Sequence, residues 1–419
     1  MPPIIGFRKG ELEVDADQRR RRNVELLRRQ AERLAVSSPF YERRFRESGV
    51  DPSRFTDLAA LRELPFLTKA EIIADQKQDP PYGSMLAAPP EAIVRQYIGP
   101  GPQTTYFTAA DYDVTVENAA WAFDTNGYRA EDVIDNTIMY HWVIAGTTID
   151  EAFRRLGCAV IPGGIGNPRM HLEVMTWSKV TGLFVFPTFL DELEAKAREL
   201  DIEPSRQLYL RLVTISGELR SADAKARMSE FWGAEIREIY GGAEVPFVAS
   251  EGSCGGGMHL NPDFIFELVH PENGEPVETG EPGVLVVTDL VRQAYPMIRY
   301  FTGDITEYLD PSPCPCGRTT GKIGRILGRV GDIPRVKGLF VVPSQVRECL
   351  TACGVQGRFQ LVVERPGTQD SLTIKVEGEV DAGRVAAALK EAIRMSVTVE
   401  SVPPGALADA PLVDDRRVL

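Results

Sequence analysis

The feature that most constrains the fold is a regular alternation of short apolar runs with helical stretches in the middle of the chain. Strands are predicted at residues 137–143, 159–162 and 182–186, and helical patterns separate them. Strands that are joined through helices form a largely parallel sheet with helices on both faces. The sequence therefore predicts an α/β fold.

Length and charge narrow the class of protein. The chain has 419 residues, of which 43% are hydrophobic, enough for one large core and a smaller domain. A net charge of −13 argues against a general role in binding nucleic acid or anionic membranes. The basic run at residues 19–22 is interpreted as a solvated helix face. No apolar stretch has membrane-spanning length and no signal-peptide pattern is present, so a cytoplasmic protein is expected.

Two predicted strand ends carry polar groups that suit a ligand site. Residues 236–240 form a strand that delivers Tyr240, Gly241, Gly242 and Glu244 onto a turn. In open α/β sheets, ligands bind outside the carboxyl ends of strands, where glycines let the backbone approach them.

The second strand end lies at residues 297–300, and Thr302, Gly303 and Asp304 follow it. A carboxylate in this position can accept hydrogen bonds from two hydroxyl groups, as when an acidic residue binds a ribose.

Three cysteines and one histidine form two closely spaced pairs. Cys254 and His259 flank a run of glycines, and Cys314 and Cys316 flank a proline. Three thiolates and one imidazole make a closed tetrahedral site, so these residues predict a structural Zn²⁺. The alternative is four unrelated residues in the reduced state.

The motifs at residues 64–69, 240–244, 299–304 and 324–329, in this order and spacing, resemble the phenylacetate–CoA ligase-like branch of the adenylate-forming enzymes. The resemblance covers nearly the whole chain. It implies a large domain at residues 1–329, with mostly parallel sheets flanked by helices. A small mobile α+β domain would follow at residues 330–419, after a hinge near Gly331.

The resemblance also implies a site, in which ATP or AMP, Mg²⁺ and an aromatic carboxylic acid bind. The acceptor would be CoA or the pantetheine thiol of an acyl carrier protein, and a homodimer is possible. His141 has a second interpretation, as a packed residue at a strand end. The implied residues are Ser216, Gly217, Glu218, Tyr240, Gly241, Gly242, Asp304 and Arg325 for the nucleotide, Glu244, Arg329 and Lys337 for catalysis, and His141, Pro187, Thr188 and Gly242 for the acyl pocket.

Three departures from the family pattern concern groups that normally contact phosphate. The phosphate-binding loop is short and contains Pro100 and Pro102, which lack N–H donors. Ala243 stands where the family usually has a serine or threonine. The final segment, residues 404–417, contains no lysine, although Arg416 and Arg417 lie a few residues past the expected place.

Three functions are compatible with these observations. The first is a carboxylic-acid-activating ligase that forms an acyl-adenylate, slowly with ATP, and transfers the acyl group to a thiol or amine. The second is an ATP-independent acyltransferase that uses a pre-activated thioester or adenylate. The third is a non-catalytic protein that binds a nucleotide or a carboxylate.

Overall fold

The computed structural model describes residues 15–55, 57–99, 103–278, 280–336, 339–366 and 370–417. Lys337 and the loop residues Pro100, Gly101 and Pro102 therefore lie outside the described residues. The α-helices are α1 (Ala16–Ser37), α2 (Pro39–Ser48), α3 (Lys69–Gln78), α4 (Ala109–Asn126), α5 (Ala145–Leu156), α6 (Pro168–Trp177), α7 (Pro187–Glu199), α8 (Pro204–Gln207), α9 (Ala222–Trp232), α10 (Pro343–Ala352) and α11 (Ala382–Ile393).

Within the described ranges, the strands belong to one large sheet, two four-stranded sheets and two hairpins. They are β1 (Ile93–Gly99), β2 (Gln103–Thr108), β3 (Val133–Asn136), β4 (Ala159–Ile161), β5 (Gly182–Val185), β6 (Leu212–Ile215), β7 (Glu235–Tyr240), β8 (Ala249–Glu251), β9 (Met258–Leu260), β10 (Phe264–Val269), β11 (Gly283–Asp289), β12 (Tyr300–Thr306), β13 (Leu309–Asp310), β14 (Lys322–Ile323), β15 (Ile326–Arg329), β16 (Arg335–Val336), β17 (Leu339–Phe340), β18 (Phe359–Glu364), β19 (Ser371–Glu377), β20 (Thr398–Val402) and β21 (Val413–Asp415).

The large sheet has the order β13-β14-β9-β8-β7-β6-β5-β3-β4, and helices flank it. The α/β class is thus confirmed. Strands β4, β3, β5, β6 and β7 pair in parallel, whereas the pairs from β7 to β13 are antiparallel. The expectation of mostly parallel sheets therefore holds for one half of this sheet. In the other half, the strands are connected by loops or, between β9 and β13, through strands β10, β11 and β12. Gly255, Gly256 and Gly257, all at positive φ, turn the chain from β8 into β9.

Two predicted strand positions were wrong. The strand expected at residues 137–143 lies at Val133–Asn136, and the expected range forms a loop. The observed strand ends in the polar residue Asn136, which the sequence pattern did not assign to a strand. Asn136 is buried there, and its side-chain amide donates to Tyr140 Oη and to the Gly146 carbonyl.

The strand expected at residues 297–300 instead begins at Tyr300 and continues through Asp304 to Thr306. The pairing of β11 with β12 shifts its register between Val284 and Val286, and Gly303 has a φ of 77° within the irregular stretch. A bulge of this kind re-aims side chains within a strand. Asp304 is therefore a mid-strand residue that faces a cavity because of the bulge.

The C-terminal part of the chain has an apolar core of its own. Strands β20, β19, β18 and β21 form a sheet, and α10 and α11 pack together beside it. Buried side chains from Val336 to Met395 form its hydrophobic cluster. The boundary and the hinge near Gly331 stay predictions. Among the described residues, none of the helices combines the length and the apolar character needed to cross a membrane.

Candidate nucleotide and acyl site

The turn after β7 is held in one conformation by its own backbone. The Gly242 N–H donates to the Val245 carbonyl at 3.0 Å, and the Val248 N–H donates to the Tyr240 carbonyl at 3.0 Å. A β-carbon at residue 241 would overlap the backbone nitrogen of Phe247, so only glycine fits there. The fixed turn carries Tyr240 at its start and Glu244 near its end, with Gly241 and Gly242 between them.

Tyr240, Asp304 and Arg329 form a connected group at one side of this turn. The Tyr240 hydroxyl donates to Asp304 Oδ2 at 2.7 Å, and Arg329 Nε lies 2.7 Å from Asp304 Oδ1. Burial and the adjacent Asp304 carboxylate raise the pKa of Tyr240 well above its ordinary value. Tyr240 therefore remains a neutral hydrogen-bond donor, and the Asp304 carboxylate accepts bonds that ribose hydroxyls can also make.

A cavity of about 460 Å³ opens beside this group. Its wall includes most of the nucleotide residues that the sequence predicted: Ser216, Gly217, Glu218, Tyr240, Gly241 and Asp304. Arg329, which was predicted as a catalytic residue, lines it as well. Arg325 does not line it; its guanidinium pairs with Glu307 at 2.8 Å instead. Gly242 lines the neighbouring apolar cavity.

Sequence reasoning missed several residues of the same wall: Leu219, Glu238, Ile239, Met258, Ile326, Gly328 and Asp332. Glu238 had a usable signal, because it precedes Tyr240 by two residues and so shares its face of β7. Burial raises the pKa of Glu238, although Lys225 Nζ lies 3.1 Å from its carboxylate. Met258 and Ile326 come from strands that are distant in sequence, and nothing local marks them.

A second cavity, of about 210 Å³, adjoins the first and shares Ser216, Gly217, Ile239 and Gly241 with it. Its other walls are almost entirely apolar: Val143, Ile144, Ala145, Ile149, Phe184, Phe186, Gly242, Ala243, Pro246 and Phe247. Phe247 has a φ of 55°. A bulky residue in the left-handed region is rare, and such strain clusters at functional sites.

The other predicted acyl-pocket residues do not line this cavity. His141 is exposed in the loop after β3, so neither of its two interpretations fits. Pro187 is buried at the first position of α7. The Thr188 hydroxyl donates to Glu218 Oε2 at 2.6 Å, so Thr188 contacts a residue that lines the nucleotide cavity. Part of the apolar wall comes from the residues just after His141 and just before Pro187, namely Val143, Ile144, Ala145, Phe184 and Phe186.

Glu244 follows Gly242 and Ala243 in the turn after β7 and is 6% exposed. Its Oε1 has no hydrogen-bond partner among the described residues, although the Lys69 ammonium lies 3.1 Å away. A buried carboxylate oxygen with free lone pairs fits Mg²⁺, which binds to proteins through one or two carboxylates and takes phosphate oxygens as further ligands. The Mg²⁺ role of Glu244 stays a prediction.

The altered phosphate loop connects the two strands of a hairpin. Strands β1 and β2 pair as far as Gly99 with Gln103, which leaves only residues 100–102 between them. A β-carbon at Gly99 would lie 3.2 Å from that of Ala243. Gly99, the last described residue before the shortened loop, is thus adjacent to Ala243.

The third departure lies in the small C-terminal sheet. Arg416 Nη1 pairs with Glu364 at 2.9 Å, and Arg417 Nη2 pairs with Asp415 at 2.6 Å. Both guanidinium groups are engaged with carboxylates on or next to β18 and β21.

The four predicted zinc ligands come together. One ligand atom from each of Cys254, His259, Cys314 and Cys316 lies within 4.8 Å of all the others. Cys254 Sγ is 3.2 Å from His259 Nε2, and Cys316 Sγ is 3.6 Å from the same nitrogen. Burial lowers the pKa of His259 to about 4, so the imidazole is in the neutral form that binds metals. The donor set and the spacing fit a tetrahedral Zn²⁺.

Comparison with known proteins gives consistent similarities. Residues 338–412 match the family model described as AMP-binding enzyme C-terminal domain. The phenylacetate-coenzyme A ligase of Thermus thermophilus is 31% identical over 350 residues, which cover 81% of this chain and 77% of the relative. The Escherichia coli enzyme of the same name is 30% identical over 349 residues, 81% of this chain and 78% of the relative.

Among solved structures, an open conformation of 2-hydroxyisobutyryl-CoA ligase in complex with 2-HIB-AMP and CoA superposes with a TM-score of 0.85. It is 23% identical, and the match covers 99% of this chain and 96% of that chain. At this identity the likeness concerns the fold.

Proposed function

Because the chain belongs to the phenylacetate–coenzyme A ligase family, we propose that it activates a carboxylic acid with ATP and transfers the acyl group to coenzyme A. The two adjoining cavities carry the proposal. The larger one offers Asp304 and Tyr240 to a nucleoside, the smaller one is apolar, and they meet at Gly241. An acyl-adenylate has this same division into a nucleoside, a phosphate and an acyl group.

The reaction has two steps. In the first, a carboxylate oxygen attacks the α-phosphorus of ATP; an O–P bond forms, and pyrophosphate leaves with the electrons of the broken bond. In the second, the thiol sulfur of CoA attacks the acyl carbon, loses its proton, and AMP leaves. Mg²⁺ at Glu244 would supply positive charge to the phosphates. The relatives are ligases, so an ATP-independent acyltransferase and a non-catalytic binding protein are not favoured.

This proposal is tested by pyrophosphate release. Purified protein with ATP, Mg²⁺ and phenylacetic acid should release pyrophosphate only when the acid is present, and CoA should then yield AMP and a thioester. If the protein bound ATP but released no pyrophosphate in the presence of any aromatic or aliphatic acid tested, the proposal would be contradicted.

The size of the apolar cavity supports a small aromatic acid as substrate. An apolar cavity of about 150 Å³ admits benzene, and this one measures about 210 Å³. Phe184, Phe186 and Phe247 supply ring faces and edges that suit an aromatic partner. The space is sufficient for one ring and a short arm that reaches the carboxylate.

Replacing Phe186 by alanine should therefore change acid selection. Phe186 borders the cavity and contacts the Ser216–Gly217 turn; a β-carbon at Gly217 would lie 2.8 Å from its ring. We expect kcat/KM for phenylacetate to fall by about 10- to 100-fold, because loss of apolar contact costs about 1–3 kcal/mol. The kcat/KM for an acid with two rings should rise relative to the kcat/KM for phenylacetate. The matched control is Phe189→Ala, because Phe189 is outside the lining of this cavity. This variant should leave the ratio of the kcat/KM values for the two acids unchanged.

A second variant restores the missing hydroxyl of the phosphate turn. Ala243→Ser should raise the rate of acid-dependent ATP–pyrophosphate exchange by about tenfold or more, because one preorganised donor contributes about 10²- to 10³-fold where it is present. Gly99, which has no side chain, leaves room beside the new group. Ala243→Gly is the control without a hydroxyl. Equal exchange rates in both variants would contradict the view that Ala243 limits adenylation.

We further propose that Cys254, His259, Cys314 and Cys316 hold a structural Zn²⁺. With four protein ligands, no coordination position is open to substrate. We also propose that the C-terminal domain turns about a hinge near Gly331, whose φ of 96° suits glycine.

A further inference from the structure

The side-chain amide of Gln103 is buried without a hydrogen-bond partner. Gln103 is 1% exposed, and among the residues that the structure describes neither its Nε2 nor its Oε1 has a partner. A buried amide that makes no hydrogen bond has lost its water and gained nothing in return, so it destabilises the free protein. A ligand that completes these bonds explains why the group is kept.

A second glutamine beside the same strand is fully bonded. Gln76 on α3 donates from Nε2 to the Thr104 carbonyl at 2.7 Å and accepts from the Thr104 N–H at 3.0 Å. Gln76 is only half-buried, whereas Gln103 is almost completely buried. The unpaired amide is therefore a property of the position of Gln103 and not of glutamines along this hairpin in general.

The direction of the Gln103 side chain follows from its strand register. Gln103 begins β2 and pairs with Gly99, the last residue of β1. Residues directly opposite each other in an antiparallel pair point to the same face, with β-carbons about 4.5–5.5 Å apart. A β-carbon at Gly99 would lie 3.2 Å from the β-carbon of Ala243. Gln103 therefore points to the side of the hairpin on which Ala243 lies.

The alternation of side chains along β2 gives the same direction. Gln103 and Phe107 share one face of the strand, because every second residue points to the same side. Phe107 belongs to the hydrophobic cluster that contains Phe184 and Phe247, and both of these line the apolar cavity. Tyr106 points to the opposite face and packs in a different cluster. The Gln103 amide thus faces the acyl side of the site.

The cavity on that side has little else to offer to a polar group. Ala243 lines it, and the side chains of its wall are apolar apart from that of Ser216. The Ser216 hydroxyl already donates to the Ile239 carbonyl at 2.8 Å. A substituent of the acid that both donates and accepts hydrogen bonds is therefore not satisfied by the wall itself, whereas the Gln103 amide next to Ala243 has both atoms free.

The two free atoms of the amide define the group that completes it. Nε2 is a hydrogen-bond donor and Oε1 is an acceptor. The carboxylate of the acid and the phosphates of ATP only accept hydrogen bonds, so either of them would leave Oε1 unpaired. A hydroxyl group donates one bond and accepts another, and it therefore complements both atoms of the Gln103 side chain.

We propose that Gln103 is a specificity-determining residue, whose amide binds a hydroxyl group on the carboxylic acid. The substrate class is then hydroxylated aromatic acids. This inference rests on the proposed function. An acid without the hydroxyl leaves the Gln103 amide unpaired in the complex, as it is in the free protein, and a site of this kind discriminates strongly against the analogue that lacks the group.

Acid-dependent pyrophosphate release by the full chain tests this assignment. The acids are phenylacetic acid, the phenylacetic acids with a hydroxyl group in the ortho, meta or para position, and mandelic acid, which carries its hydroxyl beside the carboxylate. For at least one hydroxylated acid, kcat/KM should exceed the value for phenylacetic acid by about 100-fold or more. Gln103→Met, which has nearly the same length and no amide, should bring this ratio close to one.

Two further measurements separate this role from a structural one. Gln96→Leu is the matched control, because Gln96 is exposed on the same hairpin, and it should keep the wild-type ratio. Without ligand, Gln103→Met should unfold at the same temperature as the wild type or at a higher one, because the buried unpaired amide is gone. A lower unfolding temperature would mean that the amide is bonded within the protein, and it would overturn the proposal.

The outcomes distinguish this inference from the proposed function. If the wild type releases pyrophosphate with no acid at all, the proposed function fails. If the wild type is active but uses phenylacetic acid as well as every hydroxylated acid, or if Gln103→Met keeps the wild-type preference, Gln103 does not bind a hydroxyl group. If Gln103→Met does not fold, Gln103→Leu decides by the same ratio: a ratio close to one supports the role, and the wild-type ratio overturns it.

Discussion

Replacing Asp304 by alanine is expected to reduce kcat/KM for ATP by about 100-fold or more, because two charge-assisted hydrogen bonds to the ribose are lost and each contributes about 1.5–3 kcal/mol. The bulge in β12 aims this carboxylate into the nucleotide cavity, where Tyr240 and Arg329 hold both of its oxygens. Ribose hydroxyls would bind the same oxygens. The measurement is acid-dependent pyrophosphate release at varied ATP concentration.

A second nucleotide makes the test specific. The wild type should use 2′-deoxy-ATP much less well than ATP, and Asp304→Ala should lose this discrimination because its acceptor is gone. Asp310→Ala, an exposed aspartate on the following strand, should retain it. If Asp304→Ala still discriminates between the two nucleotides as the wild type does, Asp304 does not bind the ribose.

The predicted site residues that the structure brings together are those in which one local segment carries both the strand and its polar group. Strand β7 and its turn are such a case, since Tyr240, Gly241 and Glu244 are adjacent and Gly241 is required by the approach of Phe247. The zinc residues are another, because their spacing in each pair already limits the geometry. Here local sequence and tertiary structure agree.

The errors arose where tertiary contacts override local pattern. Residues 137–143 have strand character but form a loop, because the buried Asn136 finds its partners there. The acyl wall could not be assigned from His141 or Pro187, since its phenylalanines come from separate strands and turns. The contact of Lys69 with Glu244 joins residues from α3 and the turn after β7, and no spacing rule connects them.

Removing the proposed zinc is expected to lower the free energy of unfolding of the protein while the nucleotide site still forms. A metal that binds only the folded chain contributes about 4 kcal/mol when its free concentration is a thousand times Kd. We expect one zinc per chain by elemental analysis. Chelation should lower the unfolding temperature of the wild type. Cys316→Ser should lose the metal and unfold at the same temperature as the chelated wild type. Cys316 is exposed, so this substitution removes a ligand with little loss of packing. Cys353→Ser, in the small C-terminal domain, is the control and should keep its zinc.

Loss of the metal should also alter the nucleotide cavity, because strand β9 carries both a zinc ligand and a residue of the cavity wall. His259 lies on β9, next to Met258, which lines that cavity, and β9 pairs with β8 and β14. Without the metal, these short strands lose the link between Cys254 and the loop that carries Cys314 and Cys316. KM for ATP should therefore rise in Cys316→Ser by about three- to tenfold, equivalent to about 1 kcal/mol, while the selection between acids stays constant because the apolar cavity contains no residue of β9. A wild-type protein that contains no zinc, or a Cys316→Ser variant as stable as the wild type under chelation, would contradict the structural role of the four ligands.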